Sequence, residues 1–250
     1  ISEWSTTMGT QAMNTYGFEY DKLGRLKNTL HYNAAATTPT AAYTERGITY
    51  DLNGNITTLK RYAASEATPE DDYQYIYTGN KLMQITGTEN NADTSNALYV
   101  YDQNGNMIFD GLKNLQISYN FLNLPSVVTQ DDTPVAEYSW FADGSKYRVL
   151  SLHNNGYIYT GSLIYASNNG NLNYLDYGAR MYDSNIGRWT TQDPLAEKYY
   201  AYSPHNYCVN NSVMFVDPDG RKPGPGDLFA SPQAAAIDWG LYKSYNTWGS

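Results

Sequence analysis

The chain has 250 residues, of which 26 are tyrosine and only 16% are charged, and its net charge is -9. An acidic chain without a basic stripe is poorly suited to phosphate backbones, so no nucleic-acid partner is expected. No apolar run approaches the ~18–20 residues needed to cross a bilayer, so no membrane insertion is expected either. The single cysteine, Cys208, excludes an internal disulfide and is best interpreted as a small buried apolar residue.

A seven-residue pattern, Tyr-Asp-x-x-Gly-Asn/Arg-hydrophobic, recurs along the chain. The strong copies are Tyr20–Leu26, Tyr50–Ile56 and Tyr101–Met107, and weaker copies begin at Tyr77, Tyr119 and Tyr138. Such recurrence is typical of repeat architectures, in which each unit buries its apolar face only against its neighbours. The chain starts at Ile1 within this pattern, which predicts that it is a piece of a longer polypeptide.

Segments of alternating polarity run into these motifs. They are Gly47–Tyr50, Tyr73–Tyr77, Leu98–Tyr101 and Leu115–Tyr119. Each leads into Asp, Asn and Gly residues, which suit tight turns that need a positive φ. The sequence therefore predicts an all-β fold of successive antiparallel hairpins, with Tyr, Leu and Ile alternating on one face.

The character of the sequence changes near residue 168. Short motifs rich in Gly, Arg, Asn and Asp-Pro follow as far as Gly220, and a Pro/Gly-rich linker, Pro223–Gly226, comes next. The pair Ser231-Pro232 then provides an N-cap and a first-turn proline, which predicts a short helix over 233–248.

The motifs of this second segment occur in a characteristic order. They are Tyr-Gly-Ala-Arg-Met-Tyr-Asp (177–183), Ile-Gly-Arg-Trp (186–189), Asp-Pro-Leu-Ala-Glu-Lys-Tyr (193–199), Asn-Tyr-Cys-Val-Asn-Asn (206–211) and Asp-Pro-Asp-Gly (217–220). Together with the Tyr-Asp repeats they resemble an Rhs/YD-repeat protein that ends in its Rhs-associated core domain. The resemblance covers roughly residues 16–220 and is most specific in the last 45 of these residues, where the five motifs occur in the family's order.

The resemblance implies YD repeats over 1–167, a core domain over 168–220, and a linker with the start of a C-terminal effector domain over 221–250. In such proteins the repeats form part of a spiralling β-shell that the core domain closes, and a variable toxin or other effector is carried inside. The implied partners are the remainder of the parent polypeptide, the effector domain, and an immunity protein or secretion-system component. The implied location is outside a bacterial cell, secreted or on its surface.

The resemblance also implies a site for self-cleavage. Self-cleaving relatives are similar to aspartyl proteases and use two aspartates with a supporting arginine; these positions correspond to Arg180, Asp193 and Asp217. Two neighbouring carboxylates can share the acid and base roles, and a guanidinium can hold one of them or the scissile carbonyl. The cut would fall at Gly220 and Arg221, although such relatives usually carry leucine where Arg221 stands here.

Two other interpretations remain open on the sequence alone. Asp-Pro and Asp-Pro-Asp-Gly are ordinary turn sequences, so Asp193 and Asp217 could each bond only to their own turn amides. The abundance of tyrosine also suits stacking on sugar rings, so a cell-surface carbohydrate-binding adhesin without catalysis is the alternative function.

No cofactor or metal is expected. The loops starting at Asp51 and Asp102 hint at calcium sites, but they lack the glycine and glutamate that an EF-hand needs at its sixth and twelfth positions. His31, His153 and His205 lie far apart without metal-ligand spacing. No phosphate-binding or dinucleotide-binding glycine pattern is present.

Overall fold

The computed structural model describes residues 3–6, 14–32, 38–64, 68–89, 92–94, 97–151, 156–157, 164–165, 174–199 and 201–225. Within these ranges the regular elements are antiparallel β-strands and two short 3₁₀ turns, Ala196–Lys198 and Cys208–Asn210. The predicted all-β fold is therefore confirmed. The predicted helix over 233–248 lies outside the described residues.

The repeats form one long sheet and one short one. The short sheet has the order β1 (Glu3–Thr6), β2 (Asn14–Tyr20), β3 (Leu26–Tyr32). The long sheet comprises β4 (Thr44–Tyr50), β5 (Ile56–Tyr62), β6 (Asp71–Thr78), β7 (Lys81–Glu89), β8 (Ala92–Asp93), β9 (Ala97–Tyr101), β10 (Met107–Asp110), β11 (Leu115–Tyr119), β12 (Pro125–Gln130), β13 (Thr133–Trp140), β14 (Lys146–Ser151) and β15 (Gly156–Tyr157). Its strands follow chain order from β4 to β15, except that β8 pairs only with β7. Neighbours in sequence are thus neighbours in the sheet, as the repeat pattern predicts.

The C-terminal segment, residues 164–225, adds two small sheets. One contains β16 (Ile164–Tyr165), β17 (Tyr174–Asp176), β18 (Met181–Asp183) and β19 (Arg188–Trp189), and the other pairs β20 (Phe215–Val216) with β21 (Gly224–Pro225). Among the described residues, no helix is long and apolar enough to cross a bilayer.

The Asp, Gly, Asn and apolar positions of the Tyr-Asp motif form the turn and start the next strand. In the second copy, Asp51 Oδ1 accepts hydrogen bonds from the N–H groups of Asn53 and Asn55 at 2.9 and 2.8 Å. Asp51 Oδ2 accepts another from Asn55 Nδ2 at 2.8 Å, and Gly54 has a φ of +80°. Both oxygens of the Asp51 carboxylate therefore accept hydrogen bonds within the turn and close it. Ile56, the apolar position of the motif, begins the next strand and is buried.

In three of the repeats the motif tyrosine connects its hairpin to the preceding one. Its hydroxyl donates a hydrogen bond to the carbonyl of the residue that begins a strand in the earlier hairpin. The pairs are Tyr50 to Leu26 at 2.7 Å, Tyr77 to Ile56 at 2.8 Å and Tyr119 to Met107 at 2.8 Å. The sixth copy, placed at Tyr138 from sequence, uses Trp140 instead: its indole N–H donates to Pro125 O at 2.6 Å. Neighbouring units are therefore joined by polar bonds as well as by sheet pairing.

Alternation along the strands produces one continuous core. In β11, Leu115 and Ile117 are buried while Gln116 and Ser118 are exposed. Tyr174, Met181 and Ile186 of the C-terminal segment pack into the same apolar cluster as the repeat strands. Burial of such a side chain stabilises a fold by roughly 1.5–3 kcal/mol. The C-terminal segment thus covers apolar surface that the repeats leave open.

The C-terminal segment also contacts successive turns of the repeats. Asn211 Nδ2 donates to Gly24 O and Asn210 Nδ2 to Gly54 O, both at 2.7 Å. Arg188 Nη2 donates to Asn80 O at 2.8 Å. These donors satisfy backbone carbonyls in three consecutive hairpin turns, so the segment is held in register with the repeats.

We predict that Tyr119→Phe lowers the free energy of unfolding by about 1–3 kcal/mol, because the buried Met107 carbonyl loses its donor while the ring stays in place. Denaturant unfolding measures the change. Tyr202→Phe is the matched control, since Tyr202 is 42% exposed; equal effects of the two variants would refute the role given to the hydroxyl.

Candidate functional site

The three predicted site residues come together in the C-terminal segment. Arg180 directly precedes β18, Asp193 follows β19 and Asp217 follows β20. The Arg180 Nη2 atom lies 3.2 Å from Asp193 Oδ2 and 3.2 Å from Asp217 Oδ2. Because both carboxylate oxygens contact one nitrogen, they lie no further apart than twice that distance. One guanidinium group therefore bridges the two aspartates.

Both aspartates also act within their own turns. Asp193 Oδ1 accepts a hydrogen bond from Leu195 N–H at 2.7 Å, just before the 3₁₀ turn Ala196–Lys198. Asp217 Oδ1 accepts from Arg221 N–H at 3.0 Å and from Lys222 N–H at 3.2 Å. In each case one oxygen closes the turn and the other contacts Arg180. Each aspartate therefore has both predicted roles: one oxygen bonds to the amides of its own turn, and the other oxygen contacts Arg180.

The Arg180 side chain is buried and contacts an aromatic ring and two backbone carbonyls. Its side chain is 2% exposed, and its guanidinium carbon lies 4.2 Å from the centre of the Trp189 ring, a cation–π distance. Its Nη1 donates to Pro204 O at 3.4 Å and its Nε to Gly220 O at 2.5 Å. Burial lowers the pKa of Arg180, and the charges of Asp193 and Asp217 act in the opposite direction. Arginine has so high an intrinsic pKa that it keeps its charge here.

The Asp-Pro-Asp-Gly turn (217–220) passes directly beside Arg180. Gly220 has a φ of +73°, and a Cβ atom built on it would lie 2.9 Å from the Arg180 backbone nitrogen. Only glycine permits both this backbone conformation and this close approach. As a result, the carbonyl oxygen of the Gly220–Arg221 peptide bond accepts a hydrogen bond from Arg180. The N–H of the same bond donates a hydrogen bond to Asp217.

A small cleft opens next to the carboxylates. Arg180, Asp193, Asp217, Tyr199 and Ser203 are among the residues that line it, and it has room for about one water molecule. Burial raises the pKa of the Asp217 carboxyl, although Arg180 and the N–H groups of Arg221 and Lys222 oppose the shift. Asp217 therefore holds a proton to a higher pH than an exposed aspartate does.

Sequence reasoning did not identify two of the supporting groups. Trp189 belongs to the Ile-Gly-Arg-Trp motif, so the sequence marked its position. The sequence did not show that its ring packs on Arg180. The Pro204 carbonyl accepts hydrogen bonds from both Asp193 N–H and Arg180 Nη1. A backbone acceptor cannot be identified from the pattern of side chains in a sequence. Cys208 is buried in the apolar cluster formed with Leu175, Tyr182, Trp189 and Tyr207, as predicted.

Within the described part of the chain, no group of three or more His, Cys, Asp or Glu residues is arranged to hold a metal ion. Arg180 and Asp217 both contact the Gly220–Arg221 peptide bond, and Asp193 contacts Arg180.

Comparison with known proteins gives limited matches. No protein-family model matches the chain. Salivary gland surface protein 1 of Aedes aegypti is 46% identical over 46 residues, which are 18% of this chain and 1% of that protein. A TcdB2–TccC3 crystal structure covers 84% of this chain and 14% of its own, at 14% identity and a TM-score of 0.27. A Tc holotoxin pore of Photorhabdus luminescens covers 90% and 14%, at 15% identity and a TM-score of 0.28. The chain thus spans only a small part of each of these proteins, and none of them assigns it a function.

We predict that Gly220→Ala lowers the free energy of unfolding by more than the ~1–2 kcal/mol that a positive φ alone costs a non-glycine residue. The excess arises because the new methyl group meets the Arg180 backbone. Gly144→Ala is the matched control: Gly144 has a φ of +81°, but its nearest neighbour would be 3.7 Å away. Denaturant unfolding compares the two, and equal losses would contradict the close approach.

Proposed function

We propose that this chain is a scaffold segment of an Rhs-type toxin and that its core domain cuts the chain beside Gly220. In this proposal residues 1–167 are YD repeats, 168–220 are the core domain, and 221–250 begin the effector region. The all-β repeat sheet and the C-terminal segment packed on it are consistent with this division. The assignment of function depends on the site.

The observation that carries the proposal is the pair of contacts on one peptide bond. Arg180 Nε donates to the carbonyl oxygen of Gly220, and Asp217 Oδ1 accepts from the amide of Arg221. A guanidinium at a carbonyl oxygen stabilises the negative charge that develops there during hydrolysis. A carboxyl at the nitrogen is in place to protonate the leaving amine.

The chemistry follows the two-carboxylate pattern of aspartyl proteases. Asp193 takes a proton from a water molecule in the cleft, and the water oxygen bonds to the Gly220 carbonyl carbon. Arg180 stabilises the resulting oxyanion. Asp217, whose pKa burial raises, gives its proton to the Arg221 nitrogen as the carbon–nitrogen bond breaks. The products are a Gly220 carboxylic acid and a free Arg221 amine. Asp193 keeps the proton taken from water and Asp217 is left ionised, so one water is consumed and no cofactor is required.

Two adjacent peptide bonds are candidates for the cut. Relatives with leucine in place of Arg221 are cut after that residue, which corresponds here to the Arg221–Lys222 bond. Asp217 Oδ1 contacts the nitrogen of that bond too, at 3.2 Å. Arg180, however, contacts the carbonyl of Gly220. Both atoms of the Gly220–Arg221 bond have a partner, so we assign the cut to that bond.

Cleavage at this place would free the chain that follows residue 220 from its covalent attachment to the scaffold. The proposed partners are accordingly the effector domain, the remainder of the parent polypeptide, and an immunity protein or secretion-system component. The proposed location is outside a bacterial cell. The effector tail after residue 225 lies outside the described residues.

The alternative adhesin function gains no support from the tyrosines. Among the tyrosines whose side chains the structure describes, only Tyr43 and Tyr202 are exposed, at 47% and 42%. The others are at least partly buried, and several point their hydroxyls at backbone carbonyls. We therefore do not propose sugar stacking.

We predict that the 250-residue chain splits at the Gly220–Arg221 bond, whereas Asp217→Asn stays intact because it lacks the proton donor. A denaturing gel followed by terminal mass analysis measures both. Asp143→Asn is the matched control, since Asp143 is also an exposed aspartate followed by glycine but lies in a turn of the repeats, where its Oδ1 accepts from Ser145 N–H at 2.8 Å, and this variant should split normally. A full-length band from all three proteins would refute self-cleavage.

We also predict that the cleavage rate falls as pH rises. The pKa of Asp217 is raised in the folded protein, so its proton is present at low pH and is lost as pH rises through that raised value. Because the acid form is the reactive one, each further pH unit should lower the rate about tenfold. Time courses on gels across a pH series measure this; a rate that climbs with pH would contradict the role of Asp217 as the acid.

A further inference from the structure

A second buried ionic cluster lies where the repeat sheet meets the C-terminal segment. Lys113, in the turn between β10 and β11, places its Nζ atom 2.6 Å from Oδ1 of Asp183 at the end of β18. The Lys113 side chain is 4% exposed and that of Asp183 is 0% exposed. An amine and a carboxyl group are thus held in contact away from water, at a point 70 positions apart in the chain.

The surroundings hold Lys113 in this position. Its Nζ lies 4.0 Å from the centre of the Tyr174 ring. The Tyr174 hydroxyl donates to Asp110 Oδ2 at 2.6 Å, and Asp110 Oδ1 accepts from the Lys113 backbone N–H at 3.2 Å. Asp110 is fully buried as well. Lys113, Tyr174 and Asp110 therefore constrain one another, and the amine has little freedom to leave the carboxyl.

The two oxygens of Asp183 are in different situations. Oδ1 accepts from Asn185 N–H at 2.9 Å as well as from Lys113. Oδ2 is buried and has no hydrogen-bond partner among the described residues. Burial raises the pKa of the Asp183 carboxyl; Lys113 opposes this shift, and the neighbouring charge of Asp110 adds to it. A protonated carboxylic acid is the form that an amine can attack.

We propose that Lys113 and Asp183 join through an isopeptide bond between Nζ and Cγ. The ammonium first passes a proton to the carboxylate, which gives a neutral amine and a carboxylic acid. The Nζ–Cγ bond then forms, with Oδ1 held by Asn185 N–H as negative charge develops on it. The bond from Cγ to Oδ2 breaks, and Oδ2 leaves as water with the second proton from nitrogen. One amide and one water result, with no oxidant, reductant or other reactant.

Physical grounds favour the amide at this place. A buried pair of opposite charges bears a large desolvation cost, and a neutral amide removes both charges. Fixed contact between the reacting groups supplies the effective concentration that an intermolecular reaction lacks. The neighbouring Asp110 disfavours the ionised form of Asp183 by charge repulsion.

The bond would connect the repeat sheet covalently to the C-terminal segment. Because both residues precede Gly220, the connection would persist after a cut beside that residue. It does not depend on self-cleavage, and either reaction can occur without the other.

Denaturing mass spectrometry of the 250-residue chain tests the proposal; where the chain is cut beside Gly220, the mass is read on the piece that contains both Lys113 and Asp183. We expect the wild-type chain to be lighter than its sequence mass by one water molecule, and a protease digest to contain a branched peptide joining Lys113 to Asp183. Lys113→Met should have its full sequence mass. Lys146→Met is the matched control: it removes another lysine that is paired with an aspartate of this segment, Asp176, and it should still lack one water.

Dehydration at an aspartate–glycine pair, such as Asp143-Gly144 or Asp219-Gly220, would also remove one water. That loss would persist in Lys113→Met and would give no branched peptide, and this outcome overturns the proposal. A wild-type chain that keeps its full mass through prolonged incubation of the folded protein also overturns it. Asp110→Asn should form the bond more slowly than the wild type, since the repulsion that promotes the acid form of Asp183 is removed.

Discussion

Backbone carbonyls at the turns and strand starts of the repeats need donors, and much of the architecture follows from how they obtain them. Within the repeats the donor is the motif tyrosine of the next hairpin, as in the bond from Tyr50 to Leu26 O. At the turns facing the C-terminal segment the donors are Asn210 and Asn211. A buried carbonyl left without a donor would cost about 1–3 kcal/mol, so the hairpins stabilise one another and the segment stabilises the turns that it contacts.

The candidate site inherits its geometry from that docking. Arg188 and Asn210 hold the segment to the turns at Asn80 and Gly54. Trp189, which follows Arg188, and Cys208, two residues before Asn210, belong to the apolar cluster beside the site. Trp189 in turn stacks on Arg180. Asp193, Asp217 and Gly220 all contact the side chain of Arg180. The same docking brings Lys113 of the sheet to Asp183 of the segment, so both proposed reactions depend on one interface.

Local patterns made the repeat fold predictable. The motif glycine, the turn aspartate and the strands with alternating burial could all be identified, because each is set by residues that are close in sequence. Arg180, Asp193 and Asp217 could be named from motifs that resemble a known family. The partners of the motif tyrosines could not be named, since their separation varies from 24 residues for Tyr50 to 12 for Tyr119. Trp140 in place of a tyrosine, the Pro204 carbonyl and the contact of Lys113 with Asp183 likewise depend on long-range packing. The division of the chain at residues 167 and 220 stays a prediction.

We expect the repeats and the C-terminal segment to fold and unfold as one unit. Hydrogen exchange followed by mass spectrometry through a denaturant series is the direct test. Met107 N–H, which donates across the interface to Thr190 O at 3.0 Å, should be protected until global unfolding. Peptides from the turn at 51–55 and from strands β18 and β19 should lose protection at the same denaturant concentration. Loss of protection in β18 and β19 while the repeat turns stay protected would contradict it.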